Sequence, residues 1–290
     1  SESHPSIALV RTAVFLASAS TIIGFGVMVS AEHSLLHSAG LVSLLGIGYS
    51  LIGANVLLPP LLRNMFVATV PSVSSVRGST RYKRVLKRFG HVEAFPRMFA
   101  RFKMIMDPMF GEIDQFLHNP SVIIDIGTGY GVPANWILDR FPKAMIHGLE
   151  PDAERVRVAQ RVLGKRGTVE VGASPDLPKF DGEADTAVML DMLHYLSDEN
   201  LLKAFENLRT KLVDGGRLII RVTIPRFKKT PFFRKVESRQ IEMRGGKHFY
   251  RQEAPILEVL KACGFKEIKA RQSGEDREET WITAVSVKPS

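Results

Sequence analysis

The sequence predicts an α/β protein with a seven-stranded, doubly wound sheet whose last strand runs antiparallel, preceded by an apolar helical hairpin. Three observations support this fold class. Apolar, strand-like runs alternate with amphipathic, helix-like segments from 118 to 290. A glycine-rich turn directly follows the first of these runs. Two long uncharged runs lie near the amino terminus, ahead of a basic segment.

Residues 121–133 read Ser-Val-Ile-Ile-Asp-Ile-Gly-Thr-Gly-Tyr-Gly-Val-Pro. The apolar residues of 122–126 are β-branched and leave no polar face, which is typical of a central parallel strand covered on both sides. Gly127, Gly129 and Gly131 then allow a tight turn and bring side-chain-free backbone to the end of the strand. The stretch therefore predicts a ligand site at the carboxyl end of the first strand.

The same stretch distinguishes between ligands. A dinucleotide-binding fingerprint requires a third small residue at the position of Val132, so valine there disfavours a dinucleotide. A dinucleotide enzyme and a purely structural turn both stay open as alternatives. Asp125 stands two residues before the first glycine. The pattern apolar-apolar-Asp-apolar-Gly-x-Gly-x-Gly resembles motif I of the class I S-adenosylmethionine-dependent methyltransferases. That resemblance implies S-adenosylmethionine as cofactor, bound by Asp125, Gly127, Gly129 and Gly131.

An acidic residue closes the second predicted strand, 144–149, which follows a predicted helix over 134–141. This residue is Glu150, 19 positions after Gly131. An acid at this place in a nucleotide-binding sheet accepts hydrogen bonds from ribose hydroxyls. The resemblance thus implies Glu150 as a ribose ligand, while a surface acid that caps a helix over 152–163 remains the alternative.

The third strand is predicted near 168–171. Many methyltransferases of this class place an aspartate after the glycine that follows, to meet the adenine amino group, but this chain has Ala173 there. The adenine contact is therefore expected from Ser174, Asp176 or the backbone.

The fourth predicted strand, 184–190, ends at Asp191, which is expected to face the ligand crevice. Methyl transfer is an in-line displacement with a neutral leaving group, so orientation can supply most of the rate. A general base is useful when the acceptor is a hydroxyl. His194 is the candidate for that role because an unperturbed imidazole has a pKa near 6.5; a structural role for it stays open.

The remaining elements fit the same class. A helix is predicted over 201–212, a turn over 214–216, a strand over 217–222 and a helix over 253–262. The final strand pair, 266–272 and 281–287, resembles the antiparallel ending of the methyltransferase family. The segment 226–250 combines cations with aromatic residues, which predicts either acceptor specificity or a solvated cap.

The amino-terminal part, 1–66, is expected to form a transmembrane hairpin. No charged residue occurs in 12–29 or 38–62, and the second run would span roughly 37 Å as a helix. Helices buried in a soluble core are the alternative. The cations that follow Leu62 favour a cytoplasmic location for both hairpin ends, and therefore an integral membrane protein with a cytoplasmic catalytic domain.

The hairpin resembles the last two transmembrane helices of RND/MMPL-type exporters. The resemblance lies in Ala-Ser-Thr-Ile-Ile-Gly-Phe-Gly at 19–26, Ser-Ala-Gly-Leu-Val-Ser-Leu-Leu-Gly-Ile-Gly at 38–48 and Leu-Leu-Pro-Pro-Leu-Leu at 57–62. It implies that the chain is the carboxyl-terminal part of an exporter fused to an enzyme, with other transporter helices as partners.

Residues 67–117 form a basic amphipathic connector followed by helices. The cations of 81–89 alternate with apolar residues, which favours contact with anionic membrane lipids over a solvated linker or nucleic acid binding. Apolar residues at helical spacing over 95–117 are expected to be core. Arg101, Lys103 and Asp107 are further candidates for lining the cofactor site.

Composition narrows the function. The chain has 39 Lys and Arg against 30 Asp and Glu, and its single cysteine, Cys263, excludes an internal disulfide and a cysteine-based zinc cluster. The expected function is methyl transfer to a small-molecule or lipid-like acceptor at the cytoplasmic face. A non-catalytic, cofactor-binding regulatory module of a transporter is the alternative. A nucleic acid methyltransferase is disfavoured because the chain lacks an Asn/Asp-Pro-Pro-aromatic motif.

Overall fold

The computed structural model describes residues 17, 19–52, 76–225, 249–274 and 277–288. The chain divides into two compact units, Ser1–Pro71 and Ser72–Ser290. Parts of both uncharged runs and most of the predicted specificity segment, 226–248, lie outside the described residues.

The first unit contains two helices, α1 (19–29) and α2 (Ser34–Ile52). They approach closely at Gly40, where an added Cβ would lie 2.8 Å from the backbone nitrogen of Val29. The Nδ1 atom of His37 also lies 2.6 Å from the carbonyl oxygen of Val29. Within the described residues, no helix combines the length and the apolar character that a membrane span requires.

The second unit begins with helices α3 (Thr80–Arg88), α4 (Ala94–Met106) and α5 (Met109–Glu112). The hydroxyl of Ser79 caps α3 by accepting the backbone N–H of Tyr82. Val85 in α3 and Phe89 directly after it are fully buried. This segment is therefore packed into the second unit through its apolar face.

The basic side of α3 is also occupied by the protein. Arg81 forms an ion pair with Asp114, and Arg84 and Arg88 both bind the buried carboxylate of Asp139. The prediction that this stretch lies on anionic lipid is therefore wrong for its apolar face, because that face and three of its cations contact the folded domain.

A mixed sheet of seven strands forms the centre of the second unit, in the order β3-β2-β1-β4-β5-β7-β6. The first five strands are parallel to one another, whereas β7 is antiparallel to both β5 and β6. This confirms the predicted seven-stranded sheet with an antiparallel ending. The strands are β1 (Val122–Ile126), β2 (Met145–Glu150), β3 (Gly167–Val171), β4 (Ala184–Leu190), β5 (Leu212–Thr223), β6 (Phe265–Gln272) and β7 (Glu279–Ser286).

Helices cover both faces of this sheet, which explains the apolar strands. They are α6 (Val132–Arg140), α7 (Ala153–Leu163), α8 (Asp198–Lys211) and α9 (Glu253–Ala262). Side chains alternate along β1, so that Ile123 belongs to the core that includes Ile137 on one face and Ile124 to the core that includes Phe205 on the other. Burial on both faces is the reason that β1 has no polar side.

Two sequence predictions need correction. The predicted turn at 214–216 lies inside β5, as a bulge between the pairs Ala184–Leu212 and Thr186–Arg217. The predicted core face of α4 is largely exposed: Phe99, Phe102 and Met106 are 36% exposed or more. Helical spacing identified the face correctly as apolar, but spacing alone does not show which face of the helix packs into the core.

Candidate active site

A cavity of about 940 Å³ opens at the carboxyl ends of β1, β2 and β4. The order in which strands are added to the sheet changes side at β1. The chain first adds β2 and β3 on one side of β1 and then adds β4 on the other side. Such a switch point leaves a crevice between the loops on either side. The predicted site residues Asp125, Gly127, Gly129, Glu150 and Asp191 line this cavity.

The glycine loop after β1 fits closely against its surroundings. The backbone N–H of Gly127 donates to the carbonyl of Leu149 at 2.8 Å, which ties the loop to β2. Gly127 has φ +82°, and a side chain there would also meet Met192. Gly131, directly before α6, has φ +75° and lies against Ala159 of α7. Glycine is therefore required at both positions by backbone conformation and by space.

Gly148 in β2 supports this loop from behind. A Cβ at Gly148 would collide with the hydroxyl oxygen of Thr128, whose hydroxyl donates to the backbone carbonyl of Asp125. We expect Gly148→Ala to lower the free energy of unfolding by about 1–3 kcal/mol through overpacking, and to weaken cofactor binding by displacing Thr128. Urea denaturation and cofactor titration measure the two effects.

Gly90→Ala is the matched control for this prediction, because a Cβ at Gly90 meets no atom within 4 Å. It is expected to leave both quantities nearly unchanged. Equal effects of the two substitutions would show that the contact with Thr128 is not the cause.

Glu150 ends β2 with a buried carboxylate that organises the loop opposite. One oxygen accepts the backbone N–H of Gly129 at 2.9 Å, and the other accepts that of Asp152 at 3.3 Å. Arg155 lies 3.6 Å from the same carboxylate. Each carboxylate oxygen has a second lone pair, so Glu150 can still accept hydrogen bonds from a ligand in the cavity.

Asp125 contributes a second buried carboxylate. It is 3% exposed, it lines the cavity, and its Oδ2 atom has no hydrogen-bond partner among the described residues. Burial raises the pKa of Asp125 to about 7; the Thr128 hydroxyl opposes this shift, and the nearby Glu150 carboxylate adds to it. A buried acceptor without a partner in the protein is suited to a cationic ligand group.

This raised pKa predicts a pH-dependent affinity for a cationic cofactor. Binding a cation favours ionised Asp125, so binding releases a proton when the pH is below the pKa of the free protein, about 7. The affinity of the wild type should rise with pH by up to about tenfold per unit below that pKa, and level off above it. Asp125→Asn should bind more weakly and lose this pH dependence.

Calorimetry in two buffers with different ionisation enthalpies tests this proton release.

The raised pKa also affects stability. Ionising the buried Asp125 lowers the free energy of unfolding as pH rises from the unfolded-state pKa toward 7, so Asp125→Asn should be more stable than the wild type at high pH, relative to low pH. If the pH dependence of affinity and of stability is identical in the wild type and in Asp125→Asn, that dependence belongs to another group.

The side of the cavity formed by the loop after β3 departs from the sequence prediction. Ser174 lines the cavity, and its buried hydroxyl has no hydrogen-bond partner within the described residues. Ala173 also lines it, whereas Asp176 is exposed and is absent from the lining. Of the two side chains predicted for adenine, the structure thus brings Ser174 to the site.

Asp191 belongs to a partly buried charge network that includes three further residues, of which Arg221 is the most deeply buried. Arg221 in β5 bridges Asp191 at 2.7 Å and Asp107 at 2.9 Å, and Lys103 in α4 binds Asp107 at 3.0 Å. Lys103 and Asp191 both line the cavity. Asp191 adopts φ +57°, an uncommon conformation for a residue with a side chain and one that occurs preferentially at functional sites.

The charges in this network shift one another's pKa values. Burial opposes ionisation of Asp107, but Lys103 and Arg221 hold its pKa well below the usual range. Burial raises the pKa of Asp191 despite the attraction of Arg221. Burial alone would lower the pKa of Lys103, yet Asp107 and Asp191 raise it. The network is therefore stable only while both signs of charge are present.

Sequence reasoning did not find Arg221. It lies inside a predicted strand, and its partners are 30 and 114 positions away. The available signal was an arginine that follows three apolar residues and precedes a fourth, since a buried arginine requires a carboxylate partner.

His194 lies in the short 3₁₀ turn that follows β4, where it is 6% exposed. Its ring stacks on Tyr250 with centroids 5.3 Å apart and lies 4.1 Å from the ring of Tyr195. Among the described residues, Tyr195 lines the cavity and His194 does not. A base at this position therefore stays a prediction.

The cavity residues fit S-adenosylmethionine. The cofactor carries a ribose, for which Glu150 has free lone pairs, and a cationic amino group, for which Asp125 offers an oxygen that no described residue binds. The glycine loop leaves room beside the backbone at Gly129, where an added Cβ meets nothing within 4 Å.

Comparison with known proteins agrees with this geometry. Residues 123–216 match the family model described as "Methyltransferase domain". The demethylmenaquinone methyltransferase of Thermotoga maritima is 28% identical over 107 residues, which make up 37% of this chain and 45% of that protein. The chain thus covers less than half the length of this curated relative.

Two solved structures align with nearly the full length of the chain. Human N-acetylserotonin methyltransferase in complex with S-adenosylmethionine matches with a TM-score of 0.58 and 15% identity, over 99% of both chains. An O-methyltransferase family protein from Burkholderia thailandensis matches with a TM-score of 0.55 and 15% identity, over 100% of both chains. At such identities the likeness concerns the fold.

These findings support an S-adenosylmethionine-dependent methyltransferase, with S-adenosylmethionine as the cofactor of the cavity. None of the three relatives named above is a transporter. The exporter resemblance of 1–66 therefore receives no support from them.

Proposed function

We propose that the protein transfers a methyl group from S-adenosylmethionine to a small-molecule acceptor. The observation that carries this proposal is the meeting of two buried carboxylates, Asp125 and Glu150, with the glycine loop in one cavity. The cavity lining also includes Phe99 and Tyr195, which suit an organic acceptor better than a highly charged polymer. The name of the Thermotoga maritima relative, which refers to a small-molecule methyl acceptor, is in keeping with this class.

The residues of the chain have a limited chemical task. Bound S-adenosylmethionine supplies a methyl group on a positively charged sulfur. After transfer of the methyl group, this sulfur is left as a neutral thioether. Glu150 and the glycine loop hold the donor, while Asp125 neutralises its amino group. Phe99 and Tyr195 supply aromatic surface where the acceptor approaches. Catalysis then depends mainly on orientation.

For a hydroxyl acceptor we propose His194 as general base. Its ring lies 4.1 Å from that of Tyr195, which lines the cavity, so Tyr195 would have to move aside for His194 to reach the acceptor. His194→Gln should then lower kcat for a hydroxyl acceptor and leave S-adenosylmethionine affinity unchanged.

A second candidate is a cofactor-binding module without catalytic activity. The observation that favours it is Ala173, which lines the cavity where many related enzymes have an aspartate. Such a module would bind the cofactor and transfer nothing.

The lipid-like nature of the acceptor and the attachment to a membrane are also proposals. We infer from the two uncharged runs that 1–66 tether a cytoplasmic catalytic domain to the membrane as exporter-like helices. Flotation of the full chain with lipid vesicles tests the tether, and full recovery of the protein in the vesicle-free fraction would refute it.

One experiment separates the two candidate functions. The full chain is incubated with S-adenosylmethionine labelled on its methyl group and with separate polar and lipid extracts, and the product is identified by mass. An enzyme gives a labelled product that Glu150→Ala strongly reduces. Binding of the cofactor without a labelled product in any extract favours the non-catalytic module.

A further inference from the structure

The outer side of α4 carries five exposed apolar side chains, which we call the α4 stripe. Its members are Phe95, Met98, Phe99, Phe102 and Met106, with exposed fractions of 59%, 49%, 37%, 53% and 36%. Their spacing of three and four residues places them on one face of the helix. Along the helix axis the stripe extends over about 16 Å.

This surface is unusual for a helix that faces solvent. The opposite side of α4 already contributes Pro96, Ala100 and Met104 to the core. The helix therefore does not need the stripe for its own packing. A contiguous exposed apolar surface on a folded domain usually marks a binding site.

The stripe is continuous with the cofactor cavity. Phe99 belongs to both, and Tyr130, which lines the cavity, makes edge-to-face contacts with Phe99 at 5.2 Å and with Phe95 at 6.3 Å. An apolar path thus leads from the donor site outward along the helix.

The helix is also fixed rigidly at this site. Lys103 lines the cavity, and Asp107, immediately after α4, is bound to Arg221 in the central sheet. The ion pair therefore connects the helix that carries the stripe to the sheet that carries the donor site, as suits a surface that orients an acceptor.

We propose that the α4 stripe binds the apolar chain of the methyl acceptor while the reactive group of the acceptor lies in the cavity. The acceptor is accordingly an amphiphile, with a polar head that receives the methyl group and an apolar hydrocarbon tail. This inference rests on the proposed function and specifies the substrate class for the same site.

Equilibrium dialysis of the full chain with 4-butylphenol and 4-octylphenol tests this proposal, with S-adenosylhomocysteine present and both phenols below their aggregation thresholds. We expect the octyl compound to bind at least about tenfold more tightly, because four more methylene groups leave water. The double variant Met98→Ser/Phe102→Ser should reduce this preference to below about threefold. Leu202→Ser, which changes an exposed apolar residue of α8 outside the cavity lining, should retain it.

Each alternative occupant gives a distinct contrary result. An octyl preference that persists in the double variant overturns the proposal. Loss of binding to phosphatidylglycerol vesicles in the double variant, with no octyl preference in the wild type, assigns the stripe to a lipid surface instead. Conversion of a dimer to a monomer, again without an octyl preference, assigns it to a second copy of the chain. Failure of the wild type to bind S-adenosylmethionine would instead contradict the proposed function.

Discussion

Replacing Arg221 by methionine is expected to destabilise the protein by about 3–5 kcal/mol at neutral pH, the usual cost of leaving buried charge uncompensated. Arg221 is 3% exposed and contacts Asp107 and Asp191 at 2.9 Å and 2.7 Å. Methionine fills similar space but removes the charge that lies between Asp107 and Asp191. Among the four residues of the network, Lys103 is then the cation that remains to balance both carboxylates. Urea denaturation measures the difference.

The effect of Arg221→Met should depend on pH in a defined direction. In the wild type, Arg221 and Lys103 depress the pKa of Asp107, so that this carboxylate stabilises the fold above its unfolded-state pKa and loses that contribution as pH falls. In the variant, repulsion and burial raise both carboxyl pKa values. The deficit of the variant should therefore be largest at neutral pH and shrink toward pH ~4, where the acids of the unfolded chain take up protons.

Two further variants test the cause of this deficit. Arg221→Lys keeps a positive charge and should cost less than Arg221→Met. Adding Asp191→Asn to Arg221→Met should restore part of the stability, because it removes one of the uncompensated carboxylates. A double variant less stable than Arg221→Met alone would contradict the charge network as the source.

Glu150→Ala is expected to weaken S-adenosylmethionine binding by roughly 100-fold or more, since hydrogen bonds to a charged group contribute about 1.5–3 kcal/mol each and two are proposed to the ribose. The substitution also frees the backbone N–H of Gly129 that Glu150 binds at 2.9 Å, which loosens the glycine loop. Calorimetric titration with the cofactor measures the change.

Glu154→Ala is the matched control for Glu150→Ala. Glu154 lies on the first turn of α7, is exposed and is absent from the cavity lining, and it binds Arg157 on the surface. It should leave the dissociation constant within about twofold of the wild type, as is usual for surface ion pairs. An equal loss of affinity in the two variants would mean that α7, and not the Glu150 carboxylate, is responsible.

Much of the fold could be predicted because its signals are local. The strand 122–126 was found from its own apolar residues, and the glycine loop from three glycines within five positions. The places of Glu150 and Asp191 follow from the rule that parallel strands end at a common edge, and both line the cavity. The antiparallel ending was likewise predicted and is confirmed.

The parts that were missed depend on contacts between distant segments. Arg221 and Asp107 are 114 positions apart, and neither has a local signature as half of an ion pair. The exposure of Phe102 depends on which side of α4 faces the sheet, and both sides of that helix are apolar. The same ambiguity led to the wrong lipid prediction for the apolar face of α3, because an amphipathic helix fits a lipid surface and a folded domain equally well.

The most direct test of the central claim is calorimetric titration of the full chain with S-adenosylmethionine, together with Glu150→Ala. The site described here predicts one cofactor per chain, proton release below neutral pH, and a large loss of affinity in the variant. Absence of binding at millimolar cofactor, or equal binding by wild type and Glu150→Ala, would contradict the assignment of this cavity as the methyl-donor site.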